Sequence, residues 1–443
     1  MPTLIGLIFL LASAYCFFQK DDRLFALVIV SAIFQASSVI SSDEHGVQPY
    51  YAVAAIFVLQ SILRGRNVGK SIFKGRGWMI LFAVIGIASA LILPVVFAGT
   101  PVYDPYVGID DGLFIRPPLQ LGLANLTQSV YLLLDVLVVV GASRNVNGVN
   151  FSRKAYKLAF YLLAGTVVLQ FLFSMFGVEF PYYLLQTHGG YSVQGVQTGE
   201  WSSRYPGTFT ESSGAGLVLA SFTAGFLGER MKFGRSLLLA LTGLFAIFLV
   251  RSTASMAAVG VTFLGLLIAH PVYRFPFHIN AIYLKRSVLL IVAGAAAIAL
   301  VAFSPLRDSL ISETLEKGES SSFVSRLASD QYAMELFSVT RGIGVGMGSN
   351  RPSSLITSLL STVGLVGFAV FLLAYSGLLA NSTRENSWLR WVGGALFLDM
   401  AIGGPDYTMP WVWVVLAFAV QMGRMSDDKL LNHSPAHTLA RSG

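Results

Sequence analysis

Long apolar runs alternate with short polar connections along almost the whole chain, and thirteen of these runs are read as membrane-crossing helices. They fall at 3–18, 24–42, 49–63, 78–98, 119–142, 156–177, 207–227, 236–250, 254–270, 288–304, 353–380, 389–403 and 409–423. A run of about 20 apolar residues matches the hydrocarbon thickness of a bilayer. Within lipid every backbone polar group must be satisfied internally, so spanning segments are helices or closed barrels. These runs are too long and too continuously apolar for barrel strands. The pattern predicts an all-α, polytopic integral membrane protein with about 12–13 transmembrane helices, forming one transmembrane domain over 1–443.

The first run follows no basic segment, and Lys20 and Arg23 come after it. It is therefore read as a first helix with an outward N-terminus, and not as a signal peptide. Two polar stretches interrupt the pattern. Residues 305–352 form a large outer loop, within which Ser321 to Ser338 has helical periodicity. Phe323, Leu327, Met334 and Phe337 share one face there, and Arg326 and Asp330 are neighbours four residues apart. Too short to span, this helix lies on the outer interface or is an ordinary solvated loop helix. Residues 425–443 read as a polar cytoplasmic tail.

Composition agrees with this reading, because only 12% of residues are charged and 54% are hydrophobic. Charge then orients the bundle. Numbering the connections alternately puts 22 of the 30 Lys and Arg on one side, which the positive-inside rule makes cytoplasmic. That excess needs no nucleic acid to explain it. The other eight are Arg116, Arg204, Arg251, Arg307, Lys317, Arg326, Arg341 and Arg351, so seven of the eight are arginine. Asp135 and Asp399 are the acidic residues well inside predicted spans. Each is a functional candidate, or a residue lining a wet groove or helix end. A lone Cys16 excludes an intrachain disulfide or a thiolate metal cluster.

Three outer segments carry candidate chemistry. Arg204-Tyr-Pro-Gly-Thr-Phe-Thr-Glu211-Ser-Ser-Gly-Ala-Gly216 opens the seventh run. Small residues there admit a ligand to backbone N–H groups that attract anions, or simply start a helix. In Leu249-Val-Arg251-Ser252-Thr-Ala-Ser255 the arginine either snorkels to headgroups or faces an anion, with hydroxyls alongside. Arg341-Gly-Ile-Gly-Val-Gly346-Met-Gly-Ser-Asn-Arg351 lacks the preceding strand of a nucleotide-binding loop. It reads as an anion nest beside two arginines, or as a plain flexible turn. Arginine binds phosphate bidentately and stays charged, so a lipid phosphate or pyrophosphate would account for the bias.

The order of these features resembles the bacterial O-antigen polymerase and ligase superfamily. The likeness rests on Arg204 to Gly216, on Arg251-Ser-Thr, on the long loop with Arg326, on Gly342 to Ser349, and on Gly364-Leu-Val-Gly367. It covers roughly residues 200 to 410. It implies a membrane fold like that of class C glycosyltransferases, with a periplasmic loop carrying short helices. The implied activity is transfer of a glycan from undecaprenyl diphosphate at the periplasmic face of the inner membrane, without a nucleotide sugar. Implied partners are the undecaprenyl-diphosphate-linked oligosaccharide, membrane lipids and a chain-length regulator. Ligases of the superfamily carry a His-Asn pair after the glycine-rich segment. This chain has Asn350-Arg351-Pro352 instead, and its outer histidines, His45 and His188, lie elsewhere. A polymerase of O-antigen or exopolysaccharide is the reading favoured over a ligase, and a polysaccharide or lipid transporter is the rival class.

On this reading Arg251, Arg326 and Arg341 converge on one outer pocket. With Arg204 and Arg351 they hold the donor and acceptor diphosphates. Glu211 is the first candidate for general base, with Asp330 and Asp406 behind it. Ser252 and Gly346 complete the expected substrate contacts. No metal and no cofactor are expected.

Overall fold

The computed structural model describes residues 1–19, 23–42, 46–64, 73–103, 116–145, 147–188, 204–229, 233–272, 321–383 and 385–432. The expected span at 288–304 and the first part of the outer loop, 305–320, lie outside them. Among the described residues the chain is mostly helical, with thirteen α-helices. In order they are α1 (Leu4–Phe18), α2 (Leu24–Ser31), α3 (Pro49–Leu63), α4 (Arg76–Val96), α5 (Leu123–Arg144), α6 (Val149–Met175) and α7 (Ser212–Gly228). These are followed by α8 (Phe233–Val250), α9 (Thr253–Val272), α10 (Ser321–Val339), α11 (Leu355–Leu379), α12 (Trp388–Gly403) and α13 (Pro410–Asn432). A two-residue hairpin pairs β1 (Ile40–Ser41) antiparallel with β2 (Gly46–Val47).

Four of these helices, α4, α5, α6 and α11, are long and apolar enough to cross a membrane by length and composition. Several shorter apolar helices join them: α3 packs on α5, α7 on α6, and α1 on α3. Along α4 the large side chains Val84, Ile92, Val95 and Val96 are exposed. An apolar stripe of that kind is unusual on a water-soluble monomer and matches a lipid contact. At the centre α7 is buried along its length from Ala215 to Gly228. Its small residues permit close approach, as at Gly225, where an added Cβ would meet Val392 at 2.7 Å and the Tyr156 hydroxyl at 2.9 Å.

Two expected elements are corrected. The run at 24–42 is not one spanning helix: α2 stops at Ser31 and the chain continues irregularly to the hairpin. Freed backbone groups at this break find partners from other segments, as an apolar setting requires. The Thr208 hydroxyl donates to the Ile33 carbonyl, and the Ala36 N–H donates to the Thr208 carbonyl at 3.1 Å. The Ala36 carbonyl in turn accepts from the backbones of Thr187 and His188. The second correction is at the C-terminus, where α13 runs on to Asn432, inside the segment read as a tail.

The expected α11 is also interrupted. At Gly364 the backbone turns to φ 72°, ψ −175°, splitting the helix into two parts. The glycine-rich segment is stitched into this gap. Val345 and Gly346 donate their N–H groups to the carbonyls of Ser361 and Thr362 at 2.8 and 2.9 Å, and Leu365 donates to Gly342 at 2.9 Å. These bonds satisfy groups that the broken helix would otherwise leave bare.

Candidate functional site

The first of the three segments opens α7, the second joins α8 to α9 and the third joins α10 to α11. The first segment is fixed by Gln170 of α6, whose amide both accepts from the Gly207 N–H at 2.8 Å and donates to its carbonyl at 2.9 Å. Gly207 has φ 64°, a conformation natural to glycine. This clamp and the Thr208 contacts set the loop that leads from half-buried Arg204 into α7. Glu211 is the N-cap residue of α7; it is exposed, and it accepts from the Ser213 hydroxyl at 3.1 Å.

One turn further along α7, Gly216 meets the second segment. A Cβ on Gly216 would lie 2.5 Å from the Ser255 hydroxyl and 2.6 Å from Ser252 Cβ. Ser252 is buried and accepts from the Ser255 hydroxyl at 2.7 Å at the start of α9. Arg251 stands just before it, in the turn after α8, with φ 55°. Third, Arg326 of α10 reaches in from above. Its Nη1 lies 3.8 Å from the Cβ position of Gly403, at the end of α12, as does the Cβ of Ala254. Gly216, Ser252, Ala254, Gly403 and Arg326 therefore form one cluster.

Asp399 lies one turn deeper than Gly403 on α12 and is 2% exposed. Ser255 lies beside its carboxylate, and Oδ2 is buried with no hydrogen-bond partner. An acid within a span was visible in the sequence. Its position under the Arg326 cluster was not, because nothing local links residues 255, 326 and 399.

Asp330 has a different task from the one expected. Its Oδ1 accepts from the Ser353 and Ser354 N–H groups at 2.8 and 3.2 Å and from the Thr357 hydroxyl at 2.8 Å. Its Oδ2 accepts from the Ser353 hydroxyl at 2.8 Å. The carboxylate thus caps α11 from outside and pins α10 across its N-terminus, so it is a positioning residue and not a base. Asp330→Ala is expected to lower stability by about 1–2 kcal/mol, the usual worth of such a cap. Thermal unfolding of the purified variant measures this. Ser353→Ala in the same background should then add little, since the two share one interaction.

Gly346 also leaves the substrate list. Its N–H is taken by Thr362, and a Cβ there would meet the Ser89 carbonyl and Pro94 at 2.8 Å. The anion-nest reading of this segment gives way to a plug that completes a broken helix. Asp406 is exposed and accepts from the Thr408 N–H at 2.9 Å and hydroxyl at 2.7 Å, opening α13.

The arginines do not share one pocket. Arg341 is exposed just beyond the far end of α10, at φ 53°. Arg326 and Arg341 are thus separated by about 20 Å of helix rise, which no single phosphate bridges. Arg351 is exposed and precedes Ser353, so it sits at the Arg326–Asp330 end of α10. Arg116 has a structural partner set: its guanidinium stacks 3.8 Å above the Tyr332 ring and 5.2 Å from the Tyr103 ring. A small crevice bounded by Gln60, Arg64, Arg144 and Asn145 opens elsewhere, at the opposite ends of α3 and α5, and takes no part in this cluster.

One backbone fact unites two of the candidates. Among the described residues the two non-glycine positions in the left-handed region are Arg251 and Arg341. An L-residue costs roughly 1–2 kcal/mol there, and glycine almost nothing.

No protein-family model matches the chain, and no curated protein sequence matches it. The class defined by the fold is a mostly helical protein that has, among the described residues, four helices long and apolar enough to cross a membrane.

Proposed function

We propose that the protein is a glycosyltransferase of the bacterial inner membrane. It joins undecaprenyl-diphosphate-linked oligosaccharide repeat units at the periplasmic face into O-antigen or exopolysaccharide. The observation that carries this reading is the left-handed backbone at Arg251 and Arg341. Where glycine would relieve strain, an arginine side chain is kept, and strain of that kind collects at functional sites. In the reaction, an acceptor sugar hydroxyl attacks the anomeric carbon of the donor glycan, and the bond from that carbon to the diphosphate oxygen breaks. The hydroxyl proton passes to Glu211, an exposed carboxylate at the start of α7 that accepts from the Ser213 hydroxyl. Arg326 and Arg251, with Arg351, neutralise the departing diphosphate, charge that grows in the transition state. Arg341, some 20 Å along α10, holds the diphosphate of the second lipid.

This reading separates stability from activity. Arg251→Gly and Arg341→Gly are expected to keep or raise the unfolding temperature, by up to about 1 kcal/mol of relieved strain. Both should shorten the polysaccharide made in a strain lacking the native protein. Full-length polymer from both variants would remove the reading.

A second reading, a polysaccharide or lipid transporter, is favoured by one observation. Asp135 is wholly buried within α5, and transporters place ionisable groups at that depth. A ligase lacks comparable support, because Asn350-Arg351-Pro352 stand where ligases of the superfamily carry a His-Asn pair.

A further inference from the structure

Helix α10 is turned the wrong way round for a helix in water. Ser325, Ser329, Ala333, Leu336 and Thr340 face the protein, so four of the five inward residues are small or carry a hydroxyl. Val324, Leu327, Met334 and Val339 are exposed instead, as is Ile343 just beyond the helix. A helix on a water-soluble surface buries its large apolar side chains. Gln331, Glu335 and Ser338 run beside the exposed apolar stripe, which gives the mixed surface of a helix at a membrane boundary.

Backbone contacts fix how deep α10 reaches. Near its middle, Asp330 accepts from Ser353, Ser354 and Thr357 at the start of α11. Just past its end, the Gly342 carbonyl accepts from the Leu365 N–H at 2.9 Å. Leu365 lies about 15 Å of helix rise beyond Leu355, the first residue of α11. Helix α10 therefore descends beside α11, which is long and apolar enough to cross a membrane. A second spanning helix agrees. Met347 donates its N–H to the Ser89 hydroxyl at 3.3 Å, and Ser89 lies about 10 Å of helix rise short of Val96, the end of α4. The chain then climbs back, and Asn125 at the start of α5 donates to the Ser349 hydroxyl at 2.8 Å. Every N–H from Arg341 to Met347 has an acceptor within the protein, as irregular backbone at membrane depth requires.

We propose that α10 and the glycine-rich turn after it form a re-entrant element. It dips into the leaflet on the side where α5 and α11 begin, and its exposed face rests on lipid chains. The bond between Gly342 and Leu365 sets Ile343 next to Leu365 and Val366 of α11, and all three are more than half exposed. This continuity with a spanning helix selects lipid over a soluble partner as the occupant. Arg341, exposed at the same tip, snorkels towards the lipid phosphates. The element does not depend on glycan transfer, and either reading can fail alone.

The test is spin-label depth measurement on the full chain in vesicles of phosphatidylethanolamine and phosphatidylglycerol. Cys16 is the one cysteine, so Cys16→Ser gives a background for single labels through Met334→Cys, Val339→Cys and Ile343→Cys. All three positions are exposed, and size exclusion confirms that each variant folds. Val84→Cys on the apolar stripe of α4 and Glu179→Cys at an exposed polar position are the references. Labels at 334, 339 and 343 are expected to collide with oxygen and to lose collision with a water-soluble nickel chelate, as the Val84→Cys label does. Chelate collision at the Glu179→Cys level, at two or more of the three, would overturn the proposal and make α10 a solvated loop helix. Loss of both collisions at two or more would also overturn it, because the face would then be covered by protein, from this chain or a second copy.

Discussion

Arg326→Ala is expected to reduce polymer formation about 100-fold or more while leaving the protein in the membrane at normal amounts. Removing one preorganised donor to a developing anion costs about 2.7–4 kcal/mol of transition-state stabilisation, which is that loss in rate. The side chain is half-buried, and its Nη1 lies 3.8 Å from the place a Cβ on Gly403 would take. Lysine at the same position restores charge without the bidentate fork. Arg326→Lys should therefore recover part of the rate. Gel analysis of surface polysaccharide, beside immunoblots of membrane fractions, separates lost chemistry from lost protein. Wild-type chain lengths from Arg326→Ala would remove Arg326 from the mechanism.

Gly364→Ala is expected to abolish accumulation of folded protein. Glycine occupies φ 72°, ψ −175°, a region essentially closed to other residues. A Cβ would lie 2.3 Å from the Ile343 carbonyl oxygen and 2.5 Å from that of Gly342. These oxygens belong to backbone that is itself stitched into the gap, so neither can step aside. The added methyl therefore meets both strain and collision, together several kcal/mol, a large share of the roughly 5–15 kcal/mol that holds most domains folded. By contrast Gly394→Ala, on α12, has nothing within 4 Å of the added Cβ and should be neutral. Fluorescence-detected size exclusion of the two variants gives the comparison, and a normal monodisperse peak for Gly364→Ala would contradict the plug geometry.

The break after α2 and the segment from Gly342 to Gly348 show where the amino-acid pattern was legible and where it was not. Hydropathy located α3 at its observed limits and most other apolar helices to within a few residues. Burial in lipid and burial in protein demand the same apolar side chains, and that demand is local. Helix breaks are set from afar. The run at 24–42 contains Gln35, Ser37 and Ser38, a polar signal that could have marked the stop at Ser31. What makes the break tolerable, however, is Thr208, 175 positions along the chain, donating to Ile33. Likewise Gly342 to Gly348 looks like an anion loop when read alone. Its amides are taken up within the protein, those of Val345 and Gly346 by carbonyls of α11 and that of Met347 by the Ser89 hydroxyl, and no local pattern announces that.

The candidate site was legible in composition but not in arrangement. Seven arginines among the eight outer basic residues pointed to an anion, and Arg251 and Arg341 also stand out by backbone strain. Asp330 looked like a spare carboxylate because its partners, Ser353, Ser354 and Thr357, are 23 to 27 residues away. Asp399 and Ser255 came together through the packing of α12 on α9, a contact of long range.

Chain growth in reconstituted vesicles tests the central claim most directly: that arginines on one end of this helical bundle serve glycan transfer between diphosphate-linked lipids. Purified protein given only the lipid-linked repeat unit should yield a ladder of products longer by whole repeats, and the Arg326→Ala protein should leave the substrate at one repeat. Substrate that changes leaflet without changing length, equally in both proteins, would contradict the claim and make the molecule a transporter.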